Sequence, residues 1–223
     1  MKFKIWILVI VLALQGAALV NAQPMVGFTE GEIAFDYSQT PFGPYSGSFQ
    51  AIGPAGGAGD FIDPGETEGC GGVAGSSIDG HLFLGYGAIR NPDKSLDLVI
   101  LMIFTDSEPI TPGTYSIDVT DFSSFFWYLD DVEGIVMPDN LDDANWDDLV
   151  ASLIAAHKFA SISGSITIDQ LDASSASGTF TGAMIDLDDI MTLISVSNGA
   201  FQLTGGYVAS DDASFSELKT MYR

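Results

Sequence analysis

The strongest constraint on this chain is an apolar residue at every second position, repeated in short segments with turn residues between them. Ile33, Phe35 and Tyr37 alternate with Ala34 and Asp36, and after the turn TPFGP the pattern resumes at Tyr45, Gly47, Phe49 and Ala51. Successive side chains of a strand point to opposite faces, so this spacing buries one face and wets the other. His81–Ile89 places Leu82, Leu84, Tyr86 and Ala88 together, and RNPDK leads into LDLVILMIF (Leu96–Phe104), which is apolar on both faces. A strand of that kind is central or has its second face covered. PITPGTYSIDV, the aromatic FSSFFWYL, then Ile162, Ile166 and Ile168, and then Thr179–Ile185 continue the series. About eight or nine such segments predict a mainly β fold, an antiparallel barrel or sandwich.

Two segments break the pattern. Residues 53–76 are rich in Gly, Pro and acid, and predict a long loop. In NLDDANWDDLVASLIAAHKF, the residues Trp146, Leu149, Val150, Leu153, Ile154 and His157 recur at spacings of three and four. That predicts one inserted amphipathic helix near 141–158, able to cover the second face of Leu96–Phe104. ISVSNGAFQLT (Ile194–Thr204) changes phase at Asn198-Gly199. A two-residue hairpin and a single strand with a bulge at Gly199 both account for the change. The length of the preceding strand favours the bulge.

Lys2 and Lys4, the apolar run Ile5–Leu14 and the small residues ending at Ala22 form the pattern of a secretory signal peptide, residues 1–22. The expected mature chain, 23–223, is a single all-β domain that is periplasmic, on the cell surface or extracellular. The apolar run is shorter than a membrane span, no later run is long enough for a spanning helix, and no Cys follows the cleavage point to take a lipid. With 30 acidic against 7 basic residues and a formal net charge of −23, nucleic acid and anionic membrane surfaces are poor partners. Such self-repulsion suits a saline or cation-rich setting. The single cysteine, Cys70, allows no intramolecular disulfide; a free thiol, an intermolecular bridge and an inert small residue remain open.

Chemistry is sparsely signalled. Asp143, Asn145 and Asp147, with Asp139 just upstream, have part of a calcium-loop spacing, but Gly and Glu are missing from its sixth and twelfth positions. Calcium is thus the one cofactor the chain suggests, and the same acids also suit a first helical turn. Asp186, Asp188 and Asp189, like Asp130, Asp131 and Glu133, read as solvated turns. No nucleophile elbow, zinc-protease motif, phosphate loop or dinucleotide fingerprint occurs, and no catalytic residue is assigned. Phe125, Trp127 and Trp146 are the aromatic candidates for lining a pocket.

GSITIDQLDASSASGTFTGAM followed by ISVSNGAFQL resembles uncharacterised exported β-domains of bacteria, with the pattern G-x-I-x-I, S-G-x-F, N-G-x-F. The resemblance implies the β architecture and carries over no functional residue. The expected function is a secreted, non-catalytic β-domain that binds a small molecule, a glycan or an envelope protein. A calcium-dependent adhesion or matrix protein and a carboxylate-based hydrolase are the alternatives.

Overall fold

The computed structural model of this chain describes residues 26–40, 43–56, 61–63, 65–77, 80–106, 108–120, 123–132 and 157–208. These form β1 (Val26–Phe28), β2 (Glu30–Thr40), β3 (Ser46–Pro54), β4 (Glu68–Ser77), β5 (Gly80–Arg90), β6 (Leu96–Thr105), β7 (Gly113–Asp118), β8 (Ser124–Val132), β9 (His157–Leu171), β10 (Ser175–Asp186), β11 (Leu193–Thr204) and β12 (Tyr207–Val208). All belong to one 12-stranded sheet ordered β12-β1-β4-β5-β6-β8-β9-β10-β11-β2-β3, with every pairing antiparallel. The long strand β9 takes β8 along residues 157–160 and β7 along 163–168.

The sheet curls into a barrel-like shape, which brings its β3 edge back against β4. At that seam the Ile52 N–H donates to Glu68 Oε2 at 2.9 Å, and the Cys70 thiol donates to the Ala51 carbonyl at 3.1 Å. Alternation then decides what fills the inside. Ile33 and Phe35 of β2, Phe83 of β5, Leu101 of β6, Phe126 of β8 and Phe180 of β10 meet in one buried cluster. Each large apolar side chain so buried contributes roughly 1.5–3 kcal/mol. Aromatic rings bind the halves together: Phe35 lies 5.3 Å from Phe49 and 5.5 Å from Tyr128, and Tyr128 stacks on Phe159 at 5.9 Å.

The alternation is therefore a sound guide to the fold, and the exceptions to it are not. The expected helix near 141–158 is not seen: the described residues contain no helix, and His157 and Lys158 open β9. Its remainder, 141–156, lies outside the described residues. Lys158 is anchored as a strand residue by an ion pair to Asp188 at 3.0 Å.

The expected loop at 53–76 is also shorter than its composition suggests. Its last third is β4, fully paired with β5 from Glu68 to Ser77. The glycines there reflect close approach. A Cβ on Gly72 would lie 2.4 Å from the Leu84 carbonyl oxygen and 3.0 Å from Leu203 Cδ1. Only a residue without a side chain fits inside the curl at that point.

At Asn198-Gly199 the chain runs on as one strand, β11, with register shifts against both neighbours. The residue in the left-handed region is Asn198, at φ 53°, and not Gly199. Its amide donates to Asp36 Oδ2 at 2.8 Å. Gly199 serves a different need, because a Cβ there would sit 2.2 Å from the Phe180 carbonyl oxygen.

Candidate functional site: an acidic bulge where β6 meets β8

Between the pairs Leu98–Leu129 and Leu96–Val132, β6 has one residue and β8 has two. This bulge sets Asp97 opposite both Asp130 and Asp131. Asp131 absorbs the extra length in the left-handed region at φ 55°, a conformation that Asp tolerates better than most residues. One carboxylate oxygen from each of the three lies within 4.8 Å of the others.

The turn from β5 to β6 supplies donors to this group. Asn91 Nδ2 donates to Asp97 Oδ1 at 2.9 Å and to Asp131 Oδ1 at 3.4 Å. The Ser95 hydroxyl reaches Asp131 Oδ1 at 3.2 Å and Asp93 Oδ1 at 2.7 Å. From inside the curl, the Tyr128 hydroxyl donates to Asp130 Oδ1 at 3.2 Å. Burial is the main reason that the Asp130 carboxyl sits above the usual carboxylate range, and the charges of Asp97 and Asp131 push it further the same way. Burial likewise raises the Tyr128 and Tyr37 hydroxyls, so both stay protonated at neutral pH.

Three carboxylates and a serine hydroxyl are hard oxygen donors, the set suited to calcium. The same crowding is costly without a cation, since like charges this close repel. A retaining glycosidase holds its two carboxyls about 5–5.5 Å apart across a sugar-sized cleft. Here the carboxylates share donors with one another and with a turn.

The residues singled out in the sequence fall elsewhere. Asp139, Asp143, Asn145, Asp147 and Trp146 lie outside the described residues. Phe125 and Trp127 belong to an apolar layer on the outer side of the sheet, 5.5 Å apart, while Phe126 and Tyr128 between and beyond them face the interior. Asp188 and Asp189 lie in a turn, but Asp186 is the buried last residue of β10 and not a solvated turn residue; the Asp188 N–H donates to Asp186 Oδ1 and the Thr192 hydroxyl to Asp189 Oδ2. His81 accepts or donates a 3.0 Å bond with Ser76, and His157 is exposed. Cys70 is a free, fully buried thiol whose pKa burial pushes up to about 12. A thiol so held is a poor nucleophile.

Asp97, Asp130 and Asp131 escape sequence reading because no local motif joins residues from two strands. The available signal is an Asp-Asp pair inside an otherwise apolar strand. No family model, curated protein or solved structure matches this chain.

Proposed function

We propose that this chain is an exported, non-catalytic β-domain that works through its outer surface, as a component of the cell envelope or of the extracellular face. The observation that carries this reading is the filled interior. Phe83, Phe126, Phe159, Ile166 and Met184 are all less than 2% exposed at the centre of the curl. A β-barrel that carries a small molecule inside needs an internal volume of roughly 300–1,000 Å³. Among the described residues, buried side chains fill the centre of the curl, which supports a glycan or an envelope protein meeting the outside. The signal-like residues 1–22 and the heavy negative charge support export into a setting that screens charge.

Expression of the full chain with a C-terminal tag in a bacterial host tests the export half. The expected product starts at Gln23 by intact mass and is found outside the cytoplasm. A product that retains residues 1–22 in the cytoplasm would overturn it. Titration with an apolar fluorescent probe tests the other half, because saturable one-to-one uptake displaced by a fatty acid would show an internal cavity and refute the surface reading.

The acidic bulge favours a second reading, calcium-dependent adhesion, in which a cation neutralises Asp97, Asp130 and Asp131. Calcium then raises the melting temperature above that in sodium chloride of matched ionic strength, and Asp97→Asn removes the difference. Equal melting temperatures in the two salts would remove calcium from consideration.

A further inference from the structure

Asn198 is the only one of the chain's five asparagines that precedes a glycine; the others precede Ala22, Pro92, Leu141 and Trp146. The difference is chemical. A backbone nitrogen can attack the side-chain amide carbon of the residue before it, and a side chain on the attacking residue hinders the approach. Glycine carries none, and proline has no N–H to give up. At this pair the Gly199 nitrogen bonds to Asn198 Cγ and the Cγ–Nδ2 bond breaks. Nδ2 leaves as ammonia with the proton from the Gly199 nitrogen. The five-membered imide then takes up one water, which opens either of its two carbonyl–nitrogen bonds. One opening leaves aspartate at position 198. The other leaves isoaspartate, in which the main chain runs through the side-chain carbon. Water is the sole co-reactant, and nothing is oxidised or reduced.

The fold controls this step at both reacting groups. The Asn198 side chain is exposed, but its Nδ2 is tied to Asp36 Oδ2 at 2.8 Å, and its backbone is held at φ 53°. Gly199 is buried and pairs with Phe180 of β10. Ring closure requires the amide to leave Asp36 and the Gly199 nitrogen to swing towards Cγ. β11 must therefore open locally between β10 and β2, its neighbours on either side. Neither product fits the closed strand. Aspartate sets a carboxylate against Asp36 where an amide donor now stands, and like charges that close repel. Isoaspartate adds a main-chain carbon between Val196 and Phe201, both of which are buried in the interior cluster.

We propose that Asn198-Gly199 is a deamidation site whose rate is set by opening of the β11 bulge and whose products hold that bulge loosened. Peptide mapping by mass spectrometry follows the conversion when the full chain is incubated at mildly alkaline pH. Asn198 is expected to convert ahead of every other asparagine, and roughly tenfold or more slowly in native buffer than in strong urea, because local opening must come first. Asp36→Ala should raise the native rate several-fold and leave the rate in strong urea unchanged. Urea below the unfolding transition should speed the native reaction and sucrose should slow it, which tests the gate without a substitution if Asp36→Ala does not fold. Asn198→Asp, the first of the two products, should melt below the unmodified chain at neutral pH, and adding Asp36→Asn should recover part of the loss. No conversion of Asn198 in strong urea would remove the site. Equal rates in native buffer and strong urea would remove the gate, and an Asn198→Asp variant that melts no lower would remove the consequence. Any of these three results overturns the proposal.

Discussion

Replacing Asp130 with Asn should stabilise the protein at neutral pH. The substitution keeps an oxygen for the Tyr128 hydroxyl to bond, at a present length of 3.2 Å, and removes one negative charge from three. The three carboxylates lie within 4.8 Å of one another. Two unit charges at that distance repel by about 1 kcal/mol in water and about 3 kcal/mol at an effective dielectric of 20. Solvent reaches the exposed Asp131, so the lower half of that range is the better guide. With two neighbours, the expected gain is about 2–4 kcal/mol, or a rise in melting temperature of roughly 4–16 °C for a domain of this size. The pH dependence separates the cost of the Asp130 charge, from burial first and from its neighbours second, from any change in packing. Asp130 has its carboxyl raised in the folded state, so the native fold prefers the protonated form. Its ionisation therefore costs stability as pH rises from the unfolded value through the raised one, and the cost is complete above that. Thermal melts followed by circular dichroism at pH 7 and pH 3 should show a gain for Asp130→Asn at pH 7 that vanishes at pH 3. No gain at pH 7, or a gain of equal size at pH 3, would refute the claim that an ionised Asp130 burdens this bulge.

Two further outcomes follow from the seam and from β11. Cys70 should resist thiol reagents in the native protein and react fully in denaturant, and Cys70→Ala should cost about 1–2 kcal/mol in urea melts through the lost sulfur packing and the lost bond to Ala51. Asn198→Ala should cost about 1–2 kcal/mol, because alanine takes the left-handed conformation poorly and cannot bond Asp36, whereas Asn198→Gly should lose less. Equal losses for the two would show that backbone conformation does not matter at this position.

The features of this fold that sequence reveals are those governed by one strand at a time. Alternation in Ile33–Tyr37 or Leu96–Phe104 reports which face is wet, and the two-faced apolarity of Leu96–Phe104 correctly marks β6 as central with a buried outer side. Composition misleads where it stands in for a cause. The glycines of β4 resemble loop residues, yet Gly72 is small because Leu203 and the Leu84 backbone press on it from inside the curl. The candidate site is hidden for a related reason. Asp97 and Asp130–Asp131 are separated along the chain and meet only through a bulge, whose presence depends on how β8 keeps its outward leucine and valine in step with β6. A solvated-turn reading of Asp130 and Asp131 fails, because both lie in β8, Asp130 is half-buried, and the third partner comes from β6. The left-handed residue of β11 can be narrowed to Asn198 or Gly199, but the choice rests on Phe180, which sits on the neighbouring strand.

Val26 pairs with Val208 and Gly27 with Tyr207, so the first and last strands of the described chain lie side by side. This arrangement has a mechanical consequence. A load applied between these two ends acts on one short ladder at its open end, and its bonds break in succession instead of sharing the force. Once β12 has peeled away, the three-residue β1 is the next to strip from β4. A domain tethered at one end only never loads this ladder, and its whole sheet moves as a unit. The number of points at which such a sheet is held therefore decides whether it behaves as a rigid bead or as a link that opens under modest tension.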